Sequence, residues 1–202
     1  MPTGPTVSPY GWGDERGAPA VDTARRQLEG PMQIRFAGYA GDCRVSATLE
    51  LTMDRLTDAL NAADTIVLSD AVLESLDDGR RVLVDRVELA RSALYAVEAT
   101  GSSGSRRRRI HTVRHRMHVQ LGPYGVLGEL HARPGIAPLG SLVRRGPMVP
   151  LTNATIAYMS GGQLEMHDAG TLLVNSALAD WIVAPEREAT YFAGVPTLPA
   201  PV

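Results

Sequence analysis

Lysine is missing from this chain, cysteine occurs once, and aromatic side chains make up only 5% of it. A single thiol, Cys43, excludes an intramolecular disulfide and a thiolate zinc site. Between the polar Asp42 and Arg44, near a strand start, it reads as a small inert strand residue, because a nucleophile needs a base and none stands beside it. Scarce aromatics mean that any core is built from Val, Leu, Ile and Ala. No apolar run reaches the ~18 residues of a membrane-spanning helix, and residues 1–30 lack the apolar stretch of a secretory leader, so a cytoplasmic location is expected. With Arg as the only strong base, the formal net charge is −2, which excludes a globally basic nucleic-acid binder but leaves local patches open. An all-Arg complement in an Ala- and Val-rich chain is as readily genome composition as chemistry, and nothing functional follows from it.

What is present is a self-match. Thr65-Ile66-Val67-Leu68-Ser69-Asp70-Ala71 lines up with Met148-Val149-Pro150-Leu151-Thr152-Asn153-Ala154, and the same spacing sets Gly79 on Gly162. With one residue of slippage, Ser92-Ala93-Leu94 falls on Ser176-Ala177-Leu178, each ahead of a short apolar run. A match that keeps register through a turn and two apolar segments points to a duplicated unit. Units of about 70 residues are marginal alone, so the two are expected to pack on each other or on a partner.

The expected organisation is a Pro/Gly-rich N-terminal segment (1–31), a first β-repeat (32–100), a Gly/Ser/Arg linker (101–109), a second β-repeat (110–185) and an extended tail (186–202). In the first repeat, Ile34 and Phe36, then Val45, Ala47, Leu49 and Leu51, alternate with polar residues, which predicts two half-buried strands. Met53–Ala63 changes to a helical period, with Asp54 as its expected N-cap. A strand then runs from Ile66 to the Asp77-Asp78-Gly79 turn, and another through Val82, Val84, Val87 and Leu89, with a bulge expected at Asp85-Arg86 where the alternation slips. The second repeat predicts strands at His111–Leu121, Val126–Ala132, Met148–Met159, Leu164–Val174 and Leu178–Ala184, with turns at Gly122–Gly125 and Ser160–Gly162. Its helix slot, Ala137–Arg145, is weakened by Pro138 and Gly140.

Each repeat thus reads as two strands, a short helix, two strands, a one-turn interruption and a closing strand. That order resembles the small SH3/Sm-like barrels, apart from the helix between the second and third strands. Arg55-Leu56-Thr57-Asp58-Ala59-Leu60-Asn61 followed by Val67-Leu68-Ser69-Asp70-Ala71 also resembles a motif of uncharacterised bacterial domains of unknown function. The resemblance implies a mainly β fold of two tandem small barrels and brings no activity with it.

Chemistry is thin. Arg106, Arg107, Arg108 and Arg109, with Arg114 and Arg116, form a basic stretch suited to nucleic-acid phosphates or an acidic protein surface. A solvated run beside a Gly/Ser linker looks the same, and no aromatics flank it for base stacking. On one strand His111 and His115 lie roughly 13 Å apart at ~3.3 Å per residue, too far to share an ion, and His118 points to the opposite face, so no metal site is expected. Asp54 and Asp58 share a helix face beside Arg55, as a solvated face does. No nucleophile–base pair, phosphate-cradling loop or cofactor motif emerges, so no catalytic residue and no cofactor are expected. Interaction is the better reading. Tyr10 and Trp12 suit a docking segment, and Leu172-Leu173-Val174 and Trp181-Ile182-Val183 are more apolar than half-buried strands need. The expectation is a non-catalytic scaffold or adaptor that self-associates or docks with protein partners, with RNA or DNA binding through Arg106–Arg116 as the alternative.

Overall fold

The computed structural model describes residues 32–100, 111–143 and 145–184. Within them the chain is mainly β. One open antiparallel sheet contains ten strands: β1 (Met32–Ala40), β2 (Cys43–Leu51), β3 (Thr65–Ser75), β4 (Arg81–Ala90), β5 (Leu94–Glu98), β6 (Val113–Leu121), β7 (Tyr124–Ala132), β8 (Met148–Ser160), β9 (Gln163–Asn175) and β10 (Trp181–Val183). Two short helices, α1 (Leu56–Ala62) and α2 (Pro138–Val143), follow β2 and β7. The strand order is β10-β6-β7-β8-β9-β5-β1-β2-β3-β4.

The same connectivity occurs twice. β1 to β4 form a meander and β5 returns to β1; β6 to β9 form a meander and β10 returns to β6. One row of paired residues runs Val97–Gly38–Val45–Leu73–Val82 through the first half. Its counterpart in the second half is Ile182–Val119–Val126–Ile156–His167. Among the described residues two non-glycine residues have positive φ, Asp70 (51°) and Asn153 (48°), and they occupy the same place in β3 and β8. Ahead of β5 and β10 a single 3-10 turn starts with the same backbone bond, Arg91 N to Asp64 O (2.7 Å) and Ser176 N to Pro147 O (2.8 Å). These bonds set Arg91-Ser92-Ala93 on Ser176-Ala177-Leu178, one residue from the alignment read in the sequence.

Two hydrophobic clusters follow from this pairing, and each borrows from the other half. The first gathers Phe36, Val45, Leu60, Leu68 and Val97 and is completed by Met148 and Leu173. The second gathers Met117, Leu121, Val126, Ile156 and Leu172 and is completed by Tyr39, Leu76 and Ala96. Neighbouring residues on a strand point to opposite faces. Val97 therefore enters the first cluster and Ala96 the second, while Leu173 enters the first and Leu172 the second. A strand buried on both faces reads as a continuous apolar run, which explains Leu94–Val97 and Leu172–Val174. Each fully buried Leu contributes on the order of 1.5–3 kcal/mol.

Several local expectations are corrected. Asp54 does not cap α1: Arg55 holds the N-cap position, with extended backbone and no side-chain bond. Pro138 opens α2 instead of weakening it, because the first helical residue needs no N–H partner. The 122–125 turn is tighter than expected, since Leu121 pairs with Tyr124 and only Gly122 and Pro123 lie between. The irregularity expected at Asp85-Arg86 lies across the sheet, where the β2–β3 register shifts between Ser46 and Thr48 near Asp70. The closing strand is Trp181–Val183, because Ser176–Leu178 is 3-10 helix. The 1–31 segment, Arg106–Arg109 and the tail from 185 fall outside the described residues.

Candidate functional site

The two halves meet where β5 pairs with β9, Ala96 opposite Val174, Val97 opposite Leu173 and Glu98 opposite Leu172. Polar side chains bracket this seam. Asn61 of α1 donates to Met148 O (3.0 Å) and accepts from Met148 N (2.9 Å). Asn175, buried at the end of β9, donates to Arg91 O (3.2 Å) and Leu94 O (3.0 Å). Tyr39 donates to Glu98 Oε1 (2.8 Å), and His167 Nε2 lies 3.3 Å from the same oxygen. Tyr39, Tyr124 and Tyr158 pack edge to face with centroids 5.4 to 5.7 Å apart. Burial pushes all three hydroxyls above the ordinary tyrosine value, with Glu98 adding to the effect at Tyr39. Held protonated, Tyr39 donates to Glu98 and Tyr124 to Ala40 O.

Among the described residues nothing else assembles into a reacting constellation. Burial, and then Asp42, raises the pKa of the Cys43 thiol, which keeps it protonated and unreactive. His131 spends both ring nitrogens inside the sheet, Nδ1 3.1 Å from Thr112 Oγ1 and Nε2 2.9 Å from Thr152 Oγ1. Among the described residues no group of His, Cys, Asp and Glu has the spacing to hold a metal ion. No helix described is long and apolar enough to cross a membrane.

Of the residues singled out in the sequence, Arg106, Arg107, Arg108, Arg109, Tyr10 and Trp12 lie outside the described residues. Arg114 and Arg116 are exposed on β6, where Arg114 pairs with Glu129 (3.4 Å) and Arg116 stands opposite Glu129 in register. The carboxylate between them reduces the pull of this face on phosphate. Leu172 is fully buried at the seam, whereas Trp181 is 49% exposed on β10.

The feature with unspent binding capacity is the pair of sheet ends. Among the described residues, β4 and β10 each have a strand on one side only. Exposed edges present unpaired N–H and C=O groups to any extended segment. β4 also carries Val82 (52% exposed) and Leu83 (81%). The sequence marked Trp181 but missed β4 as its counterpart. The signal was there in the repeat itself, since β4 aligns with a strand, β9, that is buried on both faces in its last residues.

No family model matches the chain, and neither curated proteins nor solved structures provide a match.

Proposed function

We propose that the protein is a non-catalytic scaffold or adaptor that self-associates, or docks into a larger protein assembly, through the edges of its sheet. Each half is read as one small SH3/Sm-like unit carrying an added helix, fused in tandem. The observation that carries this reading is the inequality between matching strands. β5 and the last four residues of β9 are covered where they meet, while β10 and β4, in the same places of the other half, have no neighbour on one side among the described residues. The buried groups at the seam serve structure: they clamp one half to the other and leave no open constellation for a reaction.

Light scattering over a dilution series tests the reading. The expected result is a mass above the 21.6 kDa of one chain, falling as the protein is diluted. A monomer at every concentration, which also retains no protein from extract of its host, overturns it.

A further inference from the structure

The internal seam specifies how a second copy fits the free edges, and this inference rests on the self-association reading above. The matching rows place Ala96, Val97 and Glu98 of β5 at the positions of Trp181, Ile182 and Val183 of β10. Counting along the fourth strand of each half from Val82 and His167, Leu172, Leu173 and Val174 of β9 take the places of Val87, Glu88 and Leu89 of β4. Ala96, Leu173 and Val174 are at most 1% exposed because the halves cover them. Their counterparts Trp181, Glu88 and Leu89 are exposed, exposed and half-buried. One strand pairing has therefore been made once inside the chain, and among the described residues both of its components recur unpaired at opposite ends of the same sheet.

We infer that copies of this chain join head to tail, β10 of one antiparallel to β4 of the next, with Trp181, Ile182 and Val183 opposite Leu89, Glu88 and Val87. The contact continues the sheet in the direction that β5 and β9 already set. It joins unlike surfaces, so it generates a closed ring where the rotation per chain divides the circle and a filament where it does not. Two replacements weaken it relative to the internal seam. Glu88 stands where Leu173 is buried, and Thr65 stands where Met148 receives the Asn61 clamp. Trp181 in the place of Ala96 adds the apolar area of an aromatic anchor to the contact, opposite Leu89.

The backbone identifies substitutions that act on the free side alone. Ala99 N donates to Thr171 O across the seam (2.9 Å), so Ala99, and Val97 two residues before it, turn their backbone groups toward β9. The equivalent residue to Val97 on β10 is Ile182, and the equivalent to Leu173 on β4 is Glu88. Proline at either removes an N–H that faces solvent in the isolated chain, which edge strands tolerate. Glu88→Pro and Ile182→Pro are each expected to be a folded monomer, and their equimolar mixture to form a 1:1 complex, because each supplies the edge that the other lacks. Trp181→Asp is a second variant at the β10 edge that leaves the backbone donor in place. It is expected to raise the dissociation constant at least about tenfold, with unchanged circular dichroism. Val87→Cys and Val183→Cys, in separate Cys43→Ser chains, occupy a pair of the close, non-hydrogen-bonded kind and are expected to cross-link between chains under copper–phenanthroline. If Ile182→Pro or Trp181→Asp still dimerises alone while Glu88→Pro does not, β4 pairs with β4. That result overturns the head-to-tail inference and leaves self-association standing. A wild-type chain that stays monomeric at every concentration overturns the inference and the self-association on which it rests.

Discussion

Asn61 and Met148, 87 residues apart, are joined by two hydrogen bonds in which one amide side chain both donates to and accepts from the backbone. The amide sits at the end of α1 and reaches the first residue of β8, so it ties a helix of one half to a strand of the other. Met148 is buried, and its carbonyl and amide have little access to water. Asn61→Ala is expected to destabilise the fold by about 1–3 kcal/mol, the cost of leaving such groups unmet. At this chain length that lowers the unfolding temperature by about 2–4 °C per kcal/mol. An unchanged midpoint in calorimetry would mean that solvent replaces the clamp at no cost.

Asp70 and Asn153 test the correspondence between the halves through backbone strain. Both hold the left-handed conformation, which β-branched residues adopt at a cost of about 1–2 kcal/mol. Asp70→Val and Asn153→Val are therefore expected to destabilise by similar amounts, and the glycine variants to be neutral or slightly stabilising. Denaturant titration of the four proteins is the measurement. A large penalty at one site and none at the other would show that the two positions share an angle but not a structural role.

Much of the strand content was legible because a half-buried strand must alternate, as Val45 to Leu51 and Val126 to Ala132 do. Gly79 and Gly162 were legible as turns because both hold a positive φ. The 3-10 register was not. Ser92-Ala93-Leu94 and Ser176-Ala177-Leu178 match by residue type, but the bond from Arg91 N to Asp64 O, repeated from Ser176 N to Pro147 O, decides the alignment. Asp54 looked like a cap by residue type and position, yet α1 starts two residues later, with Leu56 buried at its first position. The seam was hidden for a different reason. Asn61, Glu98 and Asn175 are ordinary polar residues in their own segments, and the contacts of Asn61 with Met148, Glu98 with His167 and Asn175 with Leu94 exist only because β5 pairs with β9.

Gly128 on β7 leaves no room for a side chain against β8. A Cβ there would come within 2.9 Å of Leu151 Cβ and 3.3 Å of Ala154 Cβ. Both neighbours are buried, and β7–β8 pairing shifts register at this place, so neither strand has room to move outward. Gly128→Ala is expected to cost about 1–3 kcal/mol, as overpacking of a filled core does. Equilibrium unfolding checks it, with Gly140→Ala as the control, because a Cβ at Gly140 meets nothing within 4 Å.

The tyrosine cluster sets the alkaline limit of the fold, and the missing lysines make that limit readable. Between about pH 9 and 12 only tyrosines and Cys43 titrate, because arginine stays protonated and no ammonium side chain is present. Burial first, then Glu98, holds the Tyr39 hydroxyl protonated well above its ordinary range, and burial does the same at Tyr124 and Tyr158. The raised folded value belongs to an acid whose neutral form is favoured by folding. Above the ordinary tyrosine value of about 10 the unfolded chain releases protons that the native chain keeps, so stability present in full below that pH is lost as the pH rises through and beyond it. Each such tyrosine accounts for about 1.4 kcal/mol per pH unit in that window. In a Cys43→Ser background, which removes the thiol whose own raised pKa would act at lower pH, denaturant stability is expected to stay level from about pH 8 to 9.5 and then fall, with the last tyrosinate absorbance rising together with unfolding. Tyr39→Phe keeps the ring and removes the proton and the bond to Glu98, so it is expected to be less stable at pH 8 and to lose stability less steeply above pH 10. Level stability to pH 12, with tyrosinate absorbance in the folded protein reaching the full value of all six tyrosines, would mean that the three buried hydroxyls ionise in place and that burial does not protect them.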